Sequence, residues 1–133
     1  VYYKWERSSP ANTLEADAIE DRLQLTWGTI KEIHVGFPPG PAGLVHIQVR
    51  DHGWQIVPWT PLQSLAWDNY VFVLPCDYRL DVEPYDLTIR AWNLDDSYPH
   101  TVFVAVVLDE QAHLAASMLP LVIPMGVLGL PAT

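Results

Sequence analysis

One cysteine, Cys76, stands in 133 residues. Alone it closes no internal disulfide, and metal sites built on paired cysteines are excluded. Positive charge is scarce as well. Seven lysines and arginines face sixteen aspartates and glutamates, for a formal net charge of −9. General nucleic-acid binding needs basic side chains to neutralise phosphates, and docking on anionic membranes needs them too, so neither is expected. Twelve prolines suit short strands and turns and rule out long helices. The opening Val-Tyr-Tyr-Lys-Trp lacks the apolar core of a signal peptide, which favours synthesis in a cytoplasm.

Half of the residues are hydrophobic and 17% are charged, so the chain is expected to fold. Its length suits one domain, able to bury about two thirds of its unfolded surface.

Period-two alternation runs through most of residues 1–108. It predicts strands at Val1–Arg7, Arg22–Trp27, Thr29–Phe37, Leu44–Asp51 and Trp54–Trp59, then Asn69–Leu74 and an irregular candidate over Pro75–Val82. Residues 8–21 read as polar and irregular, with a short helical turn as an option around Leu14, Ala18 and Ile19. Turns fall at Pro38-Pro39-Gly40-Pro41-Ala42-Gly43 and at His52-Gly53. Residues 84–108 read as the strongest hairpin in the chain. Leu87, Ile89 and Ala91 alternate with Thr88, Arg90 and Trp92. The return strand, Val102 to Leu108, is continuously apolar, which fits a strand covered on both faces or buried in an oligomer. Asn93, Asp95, Asp96, Ser97 and Pro99 supply turn chemistry between them.

About nine short strands with regular turn signals predict an all-β fold. The expected architecture is a two-sheet antiparallel β-sandwich of jelly-roll type over residues 1–108, with an immunoglobulin-like sandwich as the alternative. Residues 109–133 differ. They read as an apolar C-terminal arm, or as a short helix opening at Asp109 followed by an extended tail. The stretch from Ala112 to Leu130 is long enough in principle to span a bilayer, but Pro120, Pro124, Gly126 and Gly129 break any helix in its second half, so an arm covered by a neighbouring subunit or partner is favoured over packing on its own domain and over a membrane segment. The partner-binding candidates are therefore Leu119, Leu121, Val122, Ile123, Met125, Val127, Leu128 and Leu130.

Catalytic and metal signatures are weak. His34 and His46 become neighbours only if their strands pair across the Pro-Gly turn, and no His-x-His or His-Glu-x-x-His accompanies them. Asn93, Asp95 and Asp96 are oxygen donors for calcium or, more simply, Asx residues of a turn. Asp81, Glu83 and Asp86 are close in sequence but sit at expected strand ends, and Ser64 lacks a G-x-S-x-G setting. No enzymatic activity and no cofactor is expected. Six tryptophans exceed what one small core holds. Trp54, Trp59 and Trp92 are candidates for stacking on a ligand, as in a carbohydrate-binding module, or for anchoring a protein interface.

Residues 33–58, with Ile-His-Val-Gly-Phe-Pro-Pro-Gly-Pro-Ala-Gly-Leu-Val-His-Ile-Gln-Val-Arg and Trp-Gln-Ile-Val-Pro, carry a resemblance. So do residues 84–104, with Pro-Tyr-Asp-Leu-Thr-Ile-Arg-Ala-Trp-Asn and Asp-Asp-Ser-Tyr-Pro-His-Thr-Val-Phe-Val. Together they resemble small β-sandwich proteins found among the structural genes of tailed phages and related virus-like elements. The likeness rests on turns and core positions. It implies a virion component, most simply a capsid decoration (cementing) protein that oligomerises and binds a capsid or other virion protein, made in a host cytoplasm and located in the virion.

Overall fold

The computed structural model describes residues 1–110. Eight strands follow one another: β1 (Tyr2–Ser9), β2 (Ile19–Gln24), β3 (Gly28–Phe37), β4 (Val45–Asp51), β5 (Trp54–Val57), β6 (Tyr70–Leu80), β7 (Asp86–Asn93) and β8 (His100–Asp109). A single 3₁₀ turn, Glu15–Asp17, precedes β2. The expected all-β sandwich is present as two four-stranded antiparallel sheets, in the orders β1-β8-β3-β6 and β2-β7-β4-β5.

The pairing is nested. β1 pairs with β8, β2 with β7, β3 with β6 and β4 with β5. The described chain is thus one long hairpin, folded at the β4–β5 turn and wrapped so that β8 meets β3 and β7 meets β4. That is a jelly roll.

Alternation puts one face of each strand inside. Ile33, Val35, Val104 and Val106 of the first sheet meet Val45, Ile47, Leu87 and Ile89 of the second, each 4% exposed or less. Each fully buried aliphatic side chain of this kind stabilises the fold by roughly 1.5–3 kcal/mol relative to exposure.

Four expectations change. First, β7 and β8 are not a hairpin. They lie in different sheets, and residues 94–99 cross between them. Asn93 anchors the crossing from inside: its Nδ2 donates to the Ser9 carbonyl at 3.1 Å and the Tyr98 carbonyl at 2.9 Å, while its Oδ1 accepts the Asp95 N–H at 2.9 Å. Second, the two strand candidates on either side of Pro75 are a single strand, β6. Proline is tolerated there because β6 is an edge strand and the β3–β6 register shifts between Ile30 and Glu32. Third, β3 and β4 belong to opposite sheets, so His34 and His46 do not pair across the Pro-Gly turn. β2 also begins at Ile19, three residues earlier than its alternation suggests.

The continuously apolar β8 divides by parity. Val102, Val104, Val106 and Leu108 enter the core. Phe103, Ala105 and Val107 lie on the outer face of their sheet. There Ala105 stands beside His34, which stands beside Val73, and Phe103 beside Gly36, which stands beside Val71. No helix among the described residues is long and apolar enough to cross a membrane.

Candidate functional site

The two sheets close poorly along one flank. β6 has 11 residues, whereas β5, the outermost strand of the opposite sheet, has 4. The inward side chains of β6, Phe72, Leu74, Cys76 and Tyr78, are consequently only partly buried. Beyond β5 the chain arches back over residues 58–65. Leu65 and Ile47 exchange two backbone hydrogen bonds of 2.9 Å. Gln55 Nε2 donates to the carbonyls of Pro58, Thr60 and Gln63 at 2.8–2.9 Å, and Gln48 Nε2 adds a 2.8 Å bond to Gln63. The arch is thus pinned by amide side chains from two strands, and it leaves a cavity beneath it.

That cavity measures about 330 Å³. Ile33, Leu74, Pro75 and Cys76 form one wall, Ile56, Val57, Pro58 and Leu65 the other, and Trp59 and Tyr78 the junction. A second, wider groove of about 730 Å³ adjoins it and shares Ile56, Trp59 and Tyr78. Arg50, Gly53, Trp54, Gln55 and Pro61 complete the groove. The Trp59 and Tyr78 rings stand 6.0 Å apart at 46°. Tyr78 Oη donates to Asp51 Oδ2 at 2.5 Å, and His52 Nδ1 contacts Asp51 Oδ1 at 2.6 Å. Burial, reinforced by Asp51, pushes the Tyr78 phenol far above its ordinary range. The phenol is therefore a fixed donor and no acid–base group near neutrality. Burial also pushes the Cys76 thiol up, and its Sγ lies 3.3 Å from the Ile30 carbonyl. A thiol so placed is a poor nucleophile.

The three tryptophan candidates separate. Trp54 and Trp59 are 77% and 63% exposed and border the same groove. Trp92 is corrected. It is 4% exposed, one face stacked on His46 at 5.2 Å and 2°, with the Arg90 guanidinium 5.5 Å away. Its ring is occupied and offers no platform to a ligand. The reason is a polar layer on the outer face of the second sheet, which alternation alone does not reveal. Arg90 donates to Gln48 at 2.8 Å, to Glu20 at 2.9 Å and to the Glu15 carbonyl at 3.1 Å, drawing the 3₁₀ turn over the sheet.

The remaining candidates do not converge. His34 contacts Glu32 at 2.9 Å and His46 contacts Ser64 Oγ at 2.7 Å, in different sheets. Asp95 spends one oxygen on the N–H groups of Ser97 and Tyr98 and the other on His100 at 2.8 Å, which is turn chemistry. His100 first, then the Ser97 N–H, hold its carboxyl below the usual value. Asp81 faces Arg79 at 4.0 Å and Asp86 faces Arg22 at 3.7 Å. Among the described residues no group of three or more His, Cys, Asp or Glu is placed to hold a metal ion. Leu119, Leu121, Val122, Ile123, Met125, Val127, Leu128 and Leu130 lie outside the described residues.

Sequence reasoning missed Arg50, Asp51 and Tyr78 as neighbours of the two exposed tryptophans. The usable signal was the brevity of the Trp54 strand against the length of the later β run. A short edge opposite a long one leaves apolar surface uncovered. Compared with known proteins, the sequence matches no family model and no curated protein.

Proposed function

We propose that this chain is a non-enzymatic structural protein of a virion, a capsid-decorating jelly roll that self-associates and binds a capsid surface. One observation carries the assembly role. Residues 54–73 expose a concentrated set of large apolar side chains: Trp54, Trp59, Leu62, Trp67, Tyr70, Val71 and Val73, each at least 45% accessible. They belong to β5, to β6 and to the chain between them, and β5 and β6 are the outermost strands of their sheets. β6 presents there a long edge, and Lys or Pro normally blunts such edges. Only Pro75, Asp77 and Arg79 do so, all in its second half, which leaves Tyr70–Leu74 open. Scattered apolar residues on a surface are ordinary, but seven large ones exposed within residues 54–73, beside a partly open strand edge, support an interaction role. The virion setting comes from the resemblance carried by residues 33–58 and 84–104.

Size exclusion with light scattering, across a range of protein concentrations, tests the reading. Self-association that Val73→Lys weakens supports it. A monomer at every concentration, with no binding to assembled capsids, overturns it.

A further inference from the structure

Of the seven cationic side chains, six face a carboxylate. Lys4 is paired with Glu6, Arg7 with Asp21, Arg22 with Asp86, Lys31 with Asp77, Arg79 with Asp81, and Arg90 with Glu15 and Glu20. Arg50 has no such partner among the described residues. It donates to Gln48 Oε1 at 3.2 Å, an oxygen that Arg90 already uses at 2.8 Å. In a chain with sixteen acidic residues, an arginine left without one is conspicuous. Arg50 lines the groove that adjoins the apolar cavity. Asp51, next to it, is occupied by Tyr78 and His52.

We propose that this cleft binds a small amphipathic carboxylate, its apolar acyl or aryl body in the cavity and its carboxylate on Arg50. This goes beyond the assembly role and does not depend on it. The cavity, at about 330 Å³, falls at the small end of the roughly 300–1,000 Å³ typical of ligand pockets. Its walls are almost wholly apolar: Ile33, Ile56, Val57, Leu65 and Leu74. Such a space rewards a dry body and offers little to a hydroxylated one. A sugar stacked on Trp54 and Trp59 would leave it unfilled. Guanidinium is the side chain best shaped to take a carboxylate through two parallel hydrogen bonds. Trp59 and Tyr78 line both cavity and groove, so a ligand spanning the two lies against both residues.

The test titrates the full chain with octanoate and, separately, with 1-octanol, below the concentration at which octanoate forms micelles. Tryptophan fluorescence reports binding beside Trp59, and protection of Cys76, the sole thiol, from alkylation reports filling of the cavity. Octanoate is expected to bind saturably and about tenfold more tightly than octanol, the size of one charge-assisted contact. Arg50→Gln is expected to bring the two within about twofold while leaving octanol binding unchanged. Cys76→Phe, which puts a ring into the cavity, is expected to weaken binding of both at least tenfold. Absence of saturable binding overturns the proposal, as does equal affinity for acid and alcohol, or an acid preference that survives Arg50→Gln. Light scattering of the same samples reads the assembly role separately.

Discussion

The Phe103 ring occupies the space in which a side chain at Gly36 would begin. A Cβ on Gly36 would stand 1.9 Å from Phe103 Cε2 and 2.5 Å from Cδ2. The two residues are cross-strand partners on β3 and β8, and the ring lies over the glycine on the outer face of the sheet. Gly36→Ala is therefore expected to destabilise the fold by about 1–3 kcal/mol, the usual cost of overpacking. Phe103→Ala in the same chain should return most of that loss. Urea denaturation of the two single variants and the double variant gives the coupling, and strictly additive costs would contradict the packing account.

Gln48 is fully buried, and every polar atom of its amide is engaged: Nε2 on the Gln63 carbonyl, Oε1 by Arg50 and Arg90. Gln48→Leu takes one of two side-chain donors from the Gln63 carbonyl, which Gln55 still reaches, and takes the acceptor from Arg90 Nη1, whose guanidinium keeps Glu20 and the Glu15 carbonyl. It is expected to cost about 1–2 kcal/mol, within the range for buried groups that lose one partner. Glu20→Gln keeps the same shape and alters only a partner that is 58% exposed, so it should cost under about 1 kcal/mol. Equal losses in the two variants would place the energy of the layer in the ion pair and not in the amide.

His46 gives the fold an acid sensitivity. Burial, opposed by the charge of Glu15, holds its pKa below the ordinary 6.5. The unfolded chain therefore takes up a proton at a pH where the folded chain refuses it. The stability that neutral His46 contributes is whole above 6.5 and is lost as pH falls from there through the lower folded value. His46→Gln should narrow the gap in unfolding free energy between about pH 7.5 and about pH 5.5. An unchanged gap would assign the acid response to other groups.

The eight strands lie within Tyr2–Asp109. Truncation after Pro120 is expected to leave the unfolding free energy from urea denaturation within about 0.5 kcal/mol of the full chain. Binding to an assembly should fall if Leu121, Val122, Ile123, Met125, Val127, Leu128 and Leu130 contact a neighbour. Unchanged binding would confine the interface to the exposed flank at residues 54–73.

Alternation located nearly every strand, because Leu87, Ile89 and Ala91, or Val45, Ile47 and Val49, must all face one core. It could not say which strands pair. β7 and β8 are joined by a turn rich in Asx chemistry, and the same residues serve a hairpin or a crossing between sheets. Only Asn93, reaching across to Ser9, separates the two outcomes. The fate of Trp92 was hidden for a related reason. Its cover comes from Arg90 and His46, polar residues that a hydrophobicity pattern assigns to solvent. The cleft was legible only in part. Trp54 and Trp59 stood out, whereas Arg50 and Tyr78 joined them through tertiary placement.

The nested order of strands also governs how the chain can find its fold. Among the described residues, β4 and β5 are the only paired strands that are consecutive in sequence. Every other ladder closes a longer loop, up to the Val1 amino group on the Leu108 carbonyl, 107 residues apart. Each closure costs chain entropy before its contacts repay it. Folding should therefore zip outward from the β4–β5 turn, with millisecond-to-second kinetics typical of such topologies. Substitutions near His52-Gly53 would slow refolding, and those between β1 and β8 would chiefly speed unfolding. The turn that positions Trp54 beside the cleft is then also the seed from which the molecule assembles itself.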